Sequence, residues 1–402
     1  MFEGVVHGNV AFMVIATVLV FFMTPGLAFF YGGLVERKHS LTIMLQIFLS
    51  VGVVTILWIF GGFSLVFGND ILGIIGNPFQ YFGFRDIVFE VNSRYGLTIP
   101  FLMFFMYQLM FAIITLPLMT GSIVNRITMG AWMKFLVIWM ILVYFPVAHW
   151  VWGNGFLAKM GFVDFAGGTV IHVASAFSGL AALWVLGSRK VITGKGPFNM
   201  GLVAIGAGIL LFGWFGFNAG GTLAAAGTTA IVFTNTGVAS ASGMIVWSIM
   251  SYRESGNFSF LDPLVGAVAG LATITPASGY VTPMSAFIIG AAAGVVCFYA
   301  IKIPRKAGWD DVLDVWGVHG VGGFLGTVMI GLLANALVNH VDAGFWQFLV
   351  QLFGACLVAV YAMIVSYFLM KYLDNASDIR VTKEQIEAGL DKSLLNELYS
   401  DD

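Results

Sequence analysis

Charge is what this chain has least of. Only 9% of its 402 residues are Asp, Glu, Lys or Arg, against 59% hydrophobic residues and a mean hydropathy of +0.94. A soluble domain of this length carries far more charge, so composition assigns the chain to a membrane. No basic patch stands outside short loops, which removes the footprint that nucleic-acid binding requires. Cysteine is nearly absent: Cys297 and Cys356 both lie in apolar runs and read as ordinary buried residues, not as a disulfide or a metal pair. No nucleotide-binding signature occurs, so direct coupling to nucleotide hydrolysis is not expected.

What is present is hydrocarbon in long blocks. A helix needs about 20 apolar residues to cross a bilayer, and on that ruler the chain divides into eleven spans. They are expected near 9–35, 41–67, 98–121, 134–150, 164–187, 198–219, 226–250, 260–276, 284–301, 315–337 and 345–373. Loops are short except for the segment at 68–97, and a polar tail occupies 375–402. The first span is read as retained, since Glu3 and His7 stand where a secretory signal has basic residues and the apolar run is too long. Loops after odd-numbered spans, with the tail, hold fifteen Lys and Arg, whereas Arg85, Arg94 and Lys159 are the three in loops after even-numbered spans. Positive charge stays on the cytoplasmic side, so the N-terminus is expected outside and the tail in the cytoplasm.

Two distant stretches repeat one constellation. Asp164 precedes His172 by eight residues in DFAGGTVIH, and Asp311 precedes His319 by eight in DVLDVWGVH. Each histidine then enters a small-residue run. Ionisable groups in spanning helices are expensive and mark substrate or proton paths. Spans five and ten run in opposite directions in this topology, and eight helical residues rise about 12 Å, most of the hydrocarbon half-thickness of about 15 Å. Both histidines therefore fall near the midplane. The expected architecture is all-α: inverted five-helix repeats (spans 1–5, about 9–187, and 6–10, about 198–337), one extra helix at about 345–373, and a transmembrane domain over 1–374.

Several chemistries suit such a pair. The histidines could be plain helix ties, bis-histidine haem ligands, or a polar strip that donates, accepts and relays protons in an apolar channel. A metal site lacks further ligands at that depth. Asp164 opens a helix and suits an N-cap. Asp311, beside Asp310 and Asp314, reads as a solvated cap at the inner mouth, and both acids could aid proton entry. Trp152 in HWVWGNG, with Tyr107 and Phe111 one helical turn apart, offers ring faces to a small cation. Phe111 and Phe217 could close the pore below them. His149 in PVAHWVWG reads as a satisfied helix-end histidine, and His7, His39 and His340 as surface residues. Glycine-rich faces such as GLVAIGAGILLFG and GAAAGVV permit close helix packing.

DFAGGTVIH, WFGFNAGG, DVWGVHGVGG and PGLAFFYGGLVERK together resemble signatures of the ammonium transporter (Amt/Mep/Rh) family, in its prokaryotic Amt type, over essentially the whole chain. The resemblance implies a plasma-membrane homotrimer with one pore per protomer, no cofactor and no enzymatic chemistry. Trp152, Tyr107 and Phe111 resemble that family's outer recruitment site, Phe111 and Phe217 its gate, His172 and His319 its twin pore histidines, and Asp164 its acidic residue near the entrance. The tail, with Gly389 to Asp391, resembles the segment that contacts neighbouring protomers, and a PII signalling protein is an implied partner at that face. Two positions depart from the pattern: Gly221 replaces a common serine, and Asn125 stands where a glutamate is usual. The implied substrates are ammonium and ammonia, with methylammonium as analogue, and the proton is expected to cross with them. The alternative is an ammonium sensor that signals through its tail.

Overall fold

The computed structural model describes residues 3–189 and 196–399. Lys190 and Lys195, counted above among the inner-loop cations, lie outside the described residues. Among those residues, ten helices are long and apolar enough to cross a membrane. They are α1 (His7–Leu34), α2 (Arg37–Phe67), α3 (Phe101–Ile123), α4 (Met129–Lys159), α5 (Gly168–Leu186), α6 (Met200–Thr222), α7 (Gly227–Ser255), α9 (Pro283–Lys306), α10 (Trp316–Leu333) and α11 (Phe345–Ala376). The remaining expected span is α8 (Leu261–Ile274), apolar but only 14 residues long, about 21 Å of helix. In lipid every backbone N–H needs a partner within its own segment, so apolar runs of this length fold as helices. Their starts follow local chemistry: the side chain of Asn199 accepts from the N–H of Leu202 at the start of α6, and that of Thr282 accepts from Ser285 at the start of α9.

Small residues set the helix spacing. A Cβ at Gly206 of α6 would stand 2.3 Å from the backbone nitrogen of Phe30 in α1. At Gly290 of α9 it would stand 2.2 Å from the carbonyl oxygen of Ala239 in α7. The glycine-rich faces therefore act as expected. The long connection after α2 is not all irregular: β1 (Asp70–Ile71) pairs antiparallel with β2 (Ile75–Gly76).

Two expectations are corrected. His39 is buried, not a surface residue, because the tail folds back over it: the N–H of Leu390 donates to its Nδ1 at 3.1 Å. Beside it, the carboxylate of Asp391 accepts from the N–H groups of Leu41 and Thr42 at 3.0 and 2.8 Å. These N–H groups, at the start of α2, lack helical partners, which is why an acid docks there. The tail thus closes on its own chain just after α12 (Lys383–Ala388). Cys297 is buried as expected, but Cys356 is exposed. In a lipid-facing helix, apolar character does not imply an inward position.

Candidate functional site

The Asp–His units are built alike. In each, a carboxylate caps the start of a helix whose first turn is π-helical and carries the histidine, over Gly168–Val173 in α5 and Trp316–Gly320 in α10. Such turns concentrate at functional sites because they re-aim side chains. The units meet because small residues follow each histidine. A Cβ at Gly323 would lie 2.4 Å from the carbonyl oxygen of Gly168 and 3.0 Å from Cβ of His172. This approach brings Nδ1 of His319 to 3.2 Å from Nδ1 of His172. The imidazole rings stack with centroids 5.1 Å apart and planes 23° apart.

Around the pair the surface is apolar. A cavity of about 20 Å³ is lined by Leu27, Ile114, Leu118, Leu210, Trp214, Phe217 and both histidines, among others. That volume suits a single water-sized molecule. His172 packs against two rings: Trp214 stacks on it at 5.5 Å and Phe217 at 6.2 Å. Its Nε2 is buried and has no hydrogen-bond partner among the described residues, which leaves a polar atom to serve a passing molecule.

On the far side of Phe217 the passage is closed. Phe111 stacks on Phe217 with centroids 4.4 Å apart. Tyr107 packs edge-on against Phe111 at 4.8 Å, and Trp152 does so at 6.1 Å. Of the three expected recruitment rings, only Trp152 is partly exposed. Tyr107 is buried, and its hydroxyl donates to the carbonyl oxygen of Phe217 at 2.8 Å, so it braces the ring stack. The indole N–H of Trp152 donates to the carbonyl oxygen of Asp164 at 2.8 Å. The Asp164 carboxylate is spent on capping: it accepts from the N–H groups of Gly167 and Gly168 at 2.8 Å, Thr169 at 2.7 Å and Val170 at 3.1 Å. At the missing hydroxyl, a Cβ on Gly221 would stand 2.9 Å from the Phe165 ring, so that ring fills the space.

On the other side His319 lines a larger cavity of about 390 Å³, together with Glu36, Asn125, Arg189, Arg305 and Asp314. Phe30, Tyr31, Val268 and His319 line both cavities, so the two adjoin at His319. Asp311 departs from the expected solvated cap. It is buried, accepting from the Ser122 hydroxyl at 2.7 Å and the N–H of Trp316 at 2.8 Å, because the Arg126–Asp310–Arg189 cluster closes over it. Asn125 has φ 60°, a left-handed conformation that asparagine tolerates and glutamate does not favour. Sequence reasoning missed Trp214 as a wall of the site, although it lies in the quoted WFGFNAGG, three residues before Phe217 and so on the same helix face. It also missed Gln351, whose amide donates to the carbonyl oxygens of Val163 at 2.7 Å and Thr327 at 3.2 Å. No sequence signal marks that tie between distant segments.

Comparison with known proteins agrees across the whole chain. A sequence model described as Ammonium Transporter Family matches residues 11–398. The ammonium transporter of Aquifex aeolicus is 43% identical over 396 residues, covering 97% of this chain and 92% of the relative. Ammonium transporter Amt1 of Archaeoglobus fulgidus is 40% identical, covering 96% and 97%. Among solved structures, Candida albicans Mep2 superposes with a TM-score of 0.86 at 33% identity, covering 95% of this chain and 88% of that one. A structure named Sensor Amt Protein superposes at 0.88 with 27% identity, covering 96% and 98%.

Proposed function

The chain belongs to the ammonium transporter family, as a multi-pass protein of the plasma membrane, and on that premise we propose that it moves ammonium by splitting it. Trp152, with Tyr107 and Phe111 behind it, collects the ammonium ion at the outer mouth. The ion sheds its proton near Asp164 and the Phe111–Phe217 gate. Ammonia then passes His172 and His319 into the inner cavity, and the proton crosses along the histidine pair. The homotrimer, the outward N-terminus and a PII protein at the cytoplasmic face belong to the same proposal.

Magnitudes support splitting. Removing a proton from an amine-like group of pKa about 10 at neutral pH costs about 4 kcal/mol. An intact cation in an apolar constriction costs from about 3 to more than 10 kcal/mol. Potassium has no proton to lose, so a passage taking only the neutral base rejects it. The observation that carries this reading is the 3.2 Å histidine contact inside a cavity with room for one small molecule.

The test is methylammonium uptake by vesicles holding the purified protein, with ammonium pulses read as current. Wild type takes up substrate with charge movement. His172→Ala and His319→Ala each cut uptake by about tenfold or more, a barrier change of at least about 1.4 kcal/mol. Uptake unchanged by both substitutions overturns the pore assignment, and uptake without current overturns proton co-transfer. A second reading, a sensor on the same scaffold, draws support from the likeness to the Sensor Amt Protein structure and from a tail anchored at the start of α2 through Asp391. Ligand-dependent tail release without uptake would favour it.

A further inference from the structure

His149 is fully buried near the end of α4 and takes no part in the proposed pore. Its Nδ1 lies 2.6 Å from the carbonyl oxygen of Val66 at the end of α2. Its Nε2 lies 2.9 Å from Oδ1 of Asp70 in β1. A peptide carbonyl and a carboxylate only accept hydrogen bonds, and a neutral imidazole has a single N–H. Both contacts are satisfied together when the ring donates from both nitrogens.

The other side of the pair agrees. Oδ2 of Asp70 takes the ammonium of Lys159 at 2.5 Å, and Oδ1 also accepts from the N–H of Gly73 at 2.8 Å. The hydrogen bond from Lys159, opposed by burial and aided by His149, holds the Asp70 carboxyl below its ordinary range, so it keeps its charge.

The same end of α4 is tied to the hairpin elsewhere. The indole N–H of Trp150 donates to the carbonyl oxygen of Ile74 at 2.9 Å, and the N–H of Phe156 to that of Gly73 at 3.0 Å. A Cβ at Gly153 would stand 1.9 Å from the Val66 carbonyl oxygen, so α4 lies directly against α2 there. Trp152 follows His149 by three residues and reaches Asp164 and Phe111 instead of the hairpin. One helix end thus links the hairpin to the pore mouth.

We propose that His149 is a positioning residue: a buried imidazolium, bonded to the Asp70 carboxylate that it shares with Lys159, that locks the outer end of α4 to the β1–β2 hairpin and thereby fixes Trp152 at the mouth. The proposal rests on the recruitment role given to Trp152. A glutamine at 149 carries both of its N–H groups on one nitrogen and cannot reach acceptors that lie at separate edges of the imidazole, whereas paired amides at 149 and 70 can bond each other.

Two measurements on the full chain in lipid test it. Solid-state NMR of 15N-histidine-labelled protein, with the His149→Gln spectrum subtracted, gives an imidazolium signal for residue 149, and a neutral tautomer overturns the proposal. This arm is independent of transport. In methylammonium uptake, His149→Gln raises the half-saturation concentration about fivefold while the maximal rate stays within about twofold, an effect of about 1 kcal/mol on the outer site. The double variant His149→Gln/Asp70→Asn recovers most of that loss. Adding His149→Gln to Trp152→Leu costs nothing further. An unchanged half-saturation concentration, a fall in maximal rate instead, or full additivity with Trp152→Leu each overturn the positioning role. Absence of uptake by wild type would instead strike the function proposed above and leave the charge state to the spectrum.

Discussion

The Asp–His units share a plan but not their surroundings. Asp164 gives both oxygens to four backbone N–H groups, and its histidine sits under Trp214 and Phe217 beside a closed ring stack. Asp311 is met by the Ser122 hydroxyl and by the backbone N–H groups of Trp316 and Val315, and its histidine borders a cavity of about 390 Å³ with charged groups in its wall. One half is closed by rings beside its histidine, while the other borders a chamber that carries charged residues. Under the proposed mechanism, ammonia leaving His319 enters a space where charged groups line the wall, which gives an otherwise matched pair a direction in structure.

Breaking the capping contacts tests that contrast most severely. Asp164→Ala leaves four buried N–H groups without an acceptor and is expected to cost more than about 4 kcal/mol, enough to abolish recoverable folded protein. Asp311→Ala removes fewer backbone contacts and is expected to cost about 1–3 kcal/mol. Thermal unfolding in detergent, with yield, compares them, and equal losses would erase the distinction between the units.

The seal itself is tested next. Phe217→Ala removes one ring of the 4.4 Å stack and one wall of His172. Potassium leak through the variant is expected to rise about tenfold or more, since a wet constriction lowers the cost of an intact cation. Potassium flux into vesicles measures it, and a variant as tight as wild type would place the barrier elsewhere.

The smallest effect concerns the charged wall. Burial pushes the Asp310 carboxyl up, but hydrogen bonds from Arg189 and the charge of Arg126 outweigh it and hold the group below its ordinary range. A depressed carboxyl stabilises the fold above its unfolded value of about 4, and that contribution fades as pH falls through the folded value. Asp310→Asn is therefore expected to lower the unfolding temperature by about 2–4 °C at pH 7, with the difference vanishing in acid. A difference that persists in acid would assign the effect to packing.

Much of this was legible in the residues because lipid leaves few choices. Apolar blocks of spanning length must become helices, and ten spans appear near their expected boundaries. The repeated Asp–His spacing marked the site because ionisable groups are so rare in such segments. Less local features were illegible. Tyr107 reads in sequence as a recruitment ring, yet it is buried and its hydroxyl braces Phe217 from inside. His39 follows two basic residues, yet it is covered by a tail some 350 positions away, through contacts without periodicity. His149 reads in sequence as a satisfied helix-end histidine, which it is, but its acceptors come from α2 and the hairpin.

The amino-acid order alone thus determined the membrane, the helices, the repeat and the histidines, since those follow from the free energy of putting backbone and charge into hydrocarbon. Tertiary structure decided which polar atom meets which: the ring that fills the space beside Gly221, the acid spent on capping, the tail closed over α2, and the chamber on one side only. Those outcomes depend on contacts of a few ångströms between segments far apart in sequence, and no local pattern of residues encodes such distances.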